Sequence, residues 1–133
     1  MYLVDTNIWL EALLSQEKAR EAQAFLQGVE ARDLAITEFT LYSIGVILTR
    51  LKKAEVFRDF ISDTLEDSAV RRVQLDPAGL KRLLVIQQKF GLDFDDAYQY
   101  VSAENHNLIL VSYDSDFDRT ERGRKTPSQL LTP

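Results

Sequence analysis

The chain has 133 residues, 45% of them hydrophobic and 28% charged, with a net charge of -5. That length can bury a sizeable core, so one domain over residues 1–133 is expected. The absence of cysteine excludes disulfides, a thiolate nucleophile and zinc–sulfur sites. No apolar run approaches the ~20 residues of a membrane span. The opening MYLVDTNIW lacks the basic region and cleavage site of a signal peptide, and a cytoplasmic location is the expectation. Acidic balance does not exclude a nucleic-acid substrate, because a carboxylate site loses much of its charge when it holds a cation.

Taken in order, Tyr2–Val4 is a short apolar run ending in Asp5 and reads as a buried strand. Thr6–Leu14 and Gln16–Val29 read as helices, the second with Ala19, Ala22, Phe25, Leu26 and Val29 at helical spacing. Leu34–Thr37 is a second strand. Phe39–Leu51 is apolar almost all round and predicts a buried helix, and Val56–Leu65 another. Val70–Leu75 reads as a strand. Asp76-Pro77 starts a helix running to about Phe90. Phe94–Glu104 is the next helix and Leu108–Ser112 the last long strand. The tail RTERGRKTPSQLLTP is basic in its first half and is expected to end in a short strand or edge segment. Strands alternating with helices predict an α/β fold, a three-layer α/β/α sandwich around a central parallel sheet.

The acids carry the chemical signal. Asp93, Asp95 and Asp96 open the helix before the last strand, and Asp114, Asp116 and Asp118 follow that strand. A helix that feeds a parallel strand begins at the edge where the strands end, so these groups can converge there with Asp5 and Glu38. Two ionised carboxylates ~5 Å apart repel by roughly 3 kcal/mol at an effective dielectric of ~20. A fold keeps several of them only with a cation among them or with raised pKa values. Each acid alone also has a structural explanation: Asp93 as an N-cap, Asp95 and Asp96 as first-turn acids complementing the helix dipole, Asp114 as a turn cap. An EF-hand loop is excluded by Arg119 and Lys125, where Gly and a bidentate Glu are required. An all-oxygen set suits Mg²⁺ or Mn²⁺, and such cations suit phosphoryl chemistry. No glycine-rich nucleotide cradle is present.

Three stretches, MYLVDTNIW, FDDAYQYVSAE and LILVSYDSDF, together resemble PIN-domain nucleases, including the VapC-like toxins of toxin–antitoxin pairs. The resemblance covers essentially the whole chain. It implies that Asp5, Asp96, Asp114 and Asp116 are the metal-binding and catalytic acids, with Mg²⁺ or Mn²⁺ as cofactor. Asn7 and Ser112 are similar to residues that hold the carboxylates or bind phosphate. The implied activity is metal-assisted attack of water on an RNA phosphodiester, leaving a 5′-phosphate and a 3′-hydroxyl. Implied partners are an RNA substrate, a separate antitoxin protein and a second copy in a homodimer. Family members usually carry a glutamate inside the helix after strand two, where this chain has Ser43. Glu38, about five residues earlier, either reaches the site from the strand end or is only a first-turn helix acid.

Arg119, Arg122, Arg124 and Lys125 follow the acidic loop, either to grip substrate phosphates or as a solvated tail. His106 is expected to be a solvated turn residue. Tyr42, Phe57, Phe60, Phe94 and Tyr98 lie at core spacing and are expected to pack, and Trp9 is expected in the core or as an interface anchor. Two other functions compete: a stand-alone RNA-processing nuclease, and an inactive module that keeps the fold for binding. A phosphoaspartyl protein fits poorly, since Asp5 is followed by Thr6 and Asn7.

Overall fold

The computed structural model describes residues 1–131. Four short strands, β1 (Tyr2–Val4), β2 (Leu34–Thr37), β3 (Arg71–Val73) and β4 (Ile109–Val111), form one parallel sheet in the order β3-β2-β1-β4. Leu3 of β1 registers with Ala35 of β2 on one side and Leu110 of β4 on the other. Side chains alternate between the two faces of the sheet, as the pleat requires. Leu3, Ala35, Val73 and Leu110 join one core cluster with Leu83, Ile86, Ala97 and Val101. Val4, Leu34, Ile36 and Val111 join the other with Ile8, Phe25, Ile44 and Leu48. The first face is covered by α5 (Pro77–Phe90) and α6 (Phe94–His106). The second is covered by α1 (Thr6–Leu13), α2 (Ala19–Gly28), α3 (Glu38–Arg50) and α4 (Ala54–Phe60). This is the expected three-layer sandwich.

Local chemistry fixes where the helices begin. The Asp5 side chain accepts from Thr6 N at α1, and the Thr37 hydroxyl accepts from Thr40 N at α3. Asp76 caps α5 ahead of Pro77 at the first helical position. Gly91, with φ of 65°, ends α5 in the left-handed region and lets α6 start three residues later. Trp9 is buried, donates to Val4 O at 3.3 Å and meets Phe60 edge-on at 5.3 Å. No helix among the described residues is long and apolar enough to cross a membrane.

Four expectations are corrected. The apolar α3 buries one face only: Thr40, Leu41, Ile44 and Leu48 point inward, while Tyr42 and Val46 are exposed. Phe94 is likewise exposed rather than packed in the core. The helix expected to Leu65 stays α-helical only to Phe60 and continues as a π-helical turn, Ile61–Glu66. Among the described residues the tail forms no strand. Lys125 alone bridges to the outer edge of β4, with Lys125 N donating to Leu110 O (2.8 Å) and Ser112 N to Lys125 O (3.0 Å). A helical turn, α7 (Pro127–Leu130), follows it, closed by a capping box of Thr126 and Gln129.

Candidate active site and metal centre

In this sheet the chain runs outward from β1 through β2 to β3, then returns across to β4 on the far side of β1. The carboxyl ends of β1 and β4 therefore flank the switch point where α/β proteins bind ligands. Asp5 leaves β1 there and Asp114 lies just beyond β4, with the first turn of α6 bringing Asp95 and Asp96 to the same edge. A cavity of about 460 Å³ opens at this place, lined on its polar side by Asp5, Thr6, Asn7, Asp95, Asp96 and Asp114.

Asp96, Asp114 and Asp116 each bring a carboxylate oxygen within 4.8 Å of the other two. Asp93, Asp95 and Asp96 make a second such group, two of whose members are exposed. Asp96 is buried, and its pKa is pushed up to about 8. Burial is the main cause, followed by the charge and hydrogen bond of Asp114 and the charges of Asp95 and Asp5. Asp114 also accepts from Asp116 N at 2.8 Å, which holds the loop in a short 3₁₀ turn and spaces the two acids.

Asp5 is set deeper. Its Oδ1 accepts from Thr6 N (2.8 Å) and Gln99 Nε2 (3.0 Å), and its Oδ2 from Ser112 Oγ (2.7 Å). Burial raises its pKa, these three donors pull it back, and Asp114 adds a smaller upward push. The supports are themselves satisfied. Gln99 Nε2 also donates to Thr40 Oγ1 (2.9 Å), Gln99 Oε1 accepts from Thr37 Oγ1 (2.7 Å), and the Thr6 and Thr40 hydroxyls are 2.9 Å apart. Sequence reasoning put Thr6 and Thr37 at these strand ends without giving them a role, and missed Gln99 and Thr40. Asn7 Nδ2 donates to Ser112 Oγ (3.1 Å), and Asn7 Oδ1 accepts from Tyr113 N (3.1 Å). The fully buried Ser112 thus stands behind the carboxylates, while Asn7 also borders the cavity.

Glu38 is turned elsewhere. Arg72 of β3 grips it through two hydrogen bonds, 2.7 and 3.0 Å, and holds its carboxyl below the usual range. The cavity wall on α3 is Phe39, Ser43 and Ile47 instead. The four basic residues also separate. Only Arg119 borders the acids, its Nη1 lying 3.7 Å from Asp116 Oδ1. Arg122 donates to Leu108 O, Asn107 Oδ1 and Ala103 O at the far end of α6, roughly 10 Å along the helix axis from Asp96. Arg124 pairs with Asp118 and donates to Ser112 O. Lys125 lines a separate cleft along the β4 edge with Arg122 and Arg124. His106 is the exposed last residue of α6.

The family model described as PIN domain matches residues 2–123. The chain belongs to the PIN-domain family. Among its relatives, Ribonuclease VapC51 of Mycobacterium tuberculosis is 27% identical over 134 residues, spanning 99% of this chain and 93% of its own. A toxin–antitoxin complex from Klebsiella pneumoniae shares the fold at 24% identity and a TM-score of 0.76, covering 96% of this PIN domain and 98% of that chain. FitAcB from Neisseria gonorrhoeae does so at 21% identity and a TM-score of 0.77, covering 96% and 99%. The VapC-like resemblance read from the three sequence stretches agrees with these neighbours.

Proposed function

We propose that this PIN domain is a divalent-metal-dependent endoribonuclease and the toxin of a type II toxin–antitoxin pair. The observation that carries the proposal is the convergence of Asp96, Asp114 and Asp116 at the sheet's switch point, with Asp5 buried beside them. The donor set fits a hard cation. It is all carboxylate oxygen, and a positive ion would offset both the burial and the neighbouring negative charges that lift Asp96. Asp5, Asp96, Asp114 and Asp116 would hold Mg²⁺ or Mn²⁺. Bound there, the ion supplies the positive charge that polarises a phosphate and activates water.

The chain's own residues do the rest. Ser112, Gln99 and Thr6 fix the Asp5 carboxylate in one orientation, and Asn7 locks Ser112. Asp116, more exposed than Asp96, is placed to orient water, and Arg119 beside it to meet a substrate phosphate. Water attacks the RNA phosphodiester in line, giving a 5′-phosphate and a 3′-hydroxyl. A separate antitoxin belongs to the same reading, supported by the toxin–antitoxin complex among the structural neighbours; homodimer formation and a cytoplasmic location are proposed with it.

The test is cleavage of a structured-RNA pool with Mg²⁺, with Mn²⁺ and with EDTA, beside Asp96→Asn. Metal-dependent cuts absent from the variant are expected. Ser43 on the cavity wall favours one second reading, an inactive PIN fold kept for binding. Well-folded, inhibitor-free protein that cuts with neither metal would establish that reading instead. A nuclease that leaves growth unaffected when expressed without a partner would be a stand-alone processing enzyme, not a toxin.

A further inference from the structure

One wall of the acidic cavity serves no carboxylate chemistry. Phe94, two residues before the buried Asp96, is 46% exposed. Its ring leans on Phe39 of α3, with centroids 5.9 Å apart, and on Tyr98 at 6.4 Å. Phe39 and Tyr98 are in turn 5.4 Å apart. Phe39 and Phe94 line the same cavity as Asp5, Asp96 and Asp114. This placement is unfavourable twice over: an aromatic ring stays in water, and an apolar flank makes the neighbouring acids harder to ionise. Anchoring α6 does not require it, because the buried Tyr98 already does so by accepting from Leu75 N at 3.0 Å.

We propose that Phe94, backed by Phe39, is the platform on which one unpaired base of the RNA strand stacks, beside the phosphate presented to the acids. The proposal rests on the nuclease reading of this site. A nucleotide is the ligand that joins a flat π-face to a phosphate over the span of one cavity, and about 460 Å³ lies within the ~300–1,000 Å³ of small-ligand sites. The base must come from a single-stranded segment, since a paired base has both faces covered by its neighbours. Stacking tolerates any base, so this platform selects for strand structure more than for sequence.

An apolar protein segment would use the adjoining surface, which shares Phe39, Ser43 and Ile47 with the cavity. The groove of Phe39, Tyr42, Val46 and Ile47 runs along α3, and Phe94 is not part of it. Variants separate the two. Phe94→Leu keeps apolar bulk and removes the π-face, Phe94→Trp restores it, and Leu84→Ala on the exposed side of α5 is the control. Two readouts are needed: kcat/KM on a short RNA with a single abasic nucleotide walked past the cut, and fluorescence of the same RNA carrying 2-aminopurine there.

Wild type should lose roughly 5- to 150-fold in kcat/KM at one abasic position, the range for one stacked base. Phe94→Leu should lose a similar factor on intact RNA and be nearly indifferent to the abasic change, while Phe94→Trp keeps the abasic penalty and Leu84→Ala behaves as wild type. Wild type should also quench 2-aminopurine, and Phe94→Leu should not. Intact RNA cut by Phe94→Leu at the wild-type rate, or a full abasic penalty in that variant, overturns the platform and leaves the nuclease standing. So does a Phe94→Leu effect confined to binding of an apolar peptide. A nuclease that fails to cut is recognised by Asp96→Asn matching wild type. The fluorescence still decides stacking in that case, and unchanged emission overturns it.

Discussion

Gln99 and Asp5, 94 residues apart in sequence, are joined by a 3.0 Å hydrogen bond between two buried side chains. Gln99 also accepts from Thr37 and donates to Thr40, so one amide ties α6 to β1, β2 and α3 behind the acids. Replacing it with Leu leaves the Thr37 hydroxyl and an Asp5 oxygen short of partners in the interior. The expected cost is about 1–3 kcal/mol, measured as a lower urea midpoint. A midpoint equal to wild type would mean that the amide only fills space.

Asp96 sets a pH dependence with a definite sign. Its pKa in the folded state is about 8, above its ordinary 3.8. Between those values the native state binds more protons than the unfolded chain, so stability without metal falls as pH rises through that window. Asp96→Asn should flatten the slope. At pH 8 and above the variant should be more stable than metal-free wild type, by up to the roughly 3 kcal/mol of one close carboxylate pair. Thermal melts at pH 5 and pH 8 in EDTA check this, and added Mn²⁺ should raise the melting temperature of wild type far more than that of the variant.

Ser112→Ala removes the 2.7 Å donor from Asp5 Oδ2 and one partner of Asn7, whose Oδ1 still accepts from Tyr113 N. Losing a donor to the charged form moves the Asp5 pKa further up. Cation binding should therefore weaken roughly 10–100-fold at neutral pH and recover in part as pH rises. Calorimetric titration with Mn²⁺ at pH 6.5 and 8.5 reads both effects, and a pH-independent loss would point to misfolding of the loop instead.

Glu38 and Ser43 make a paired test. Glu38→Gln gives up an exposed ion pair with Arg72, worth about 1 kcal/mol or less, and should cut RNA at close to the wild-type rate. Ser43→Glu adds a carboxylate to the cavity wall. It should lower the melting temperature in EDTA and tighten or multiply Mn²⁺ binding. Lost activity in Glu38→Gln would return that acid to the site.

The sheet was legible because its strands are short apolar runs ending in polar residues, and the acids because they sit at those ends. The supports were not. Gln99 lies within Asp96–Ala103, every residue of which is buried, so no polar face marks it as an inward group. Periodicity likewise cannot say which apolar face of α3, or which end of α6, has a neighbour, and so Tyr42 and Phe94 read as core. The destinations of Arg122 and Arg124 are tertiary, set by carbonyls at and just after the end of α6 and by Asp118. The final helical turn was readable. Thr126-Pro127 followed by Gln129 is a helix start, which the basic run before it obscured.

The single bridge between Lys125 and β4 governs more than the sheet's outline. The loop bearing Asp114, Asp116 and Arg119 leaves the strand at one end of that bridge and returns at the other. Its closure entropy is therefore met by backbone bonds to the strand, outside the acidic centre, and a cation arriving there finds the loop already ordered. The same arrangement makes failure collective. If the bridge opens and the buried Phe117 leaves the core, Asp114 and Asp116 depart together in one local unfolding event, while Asp5 and Asp96 stay fixed to the core.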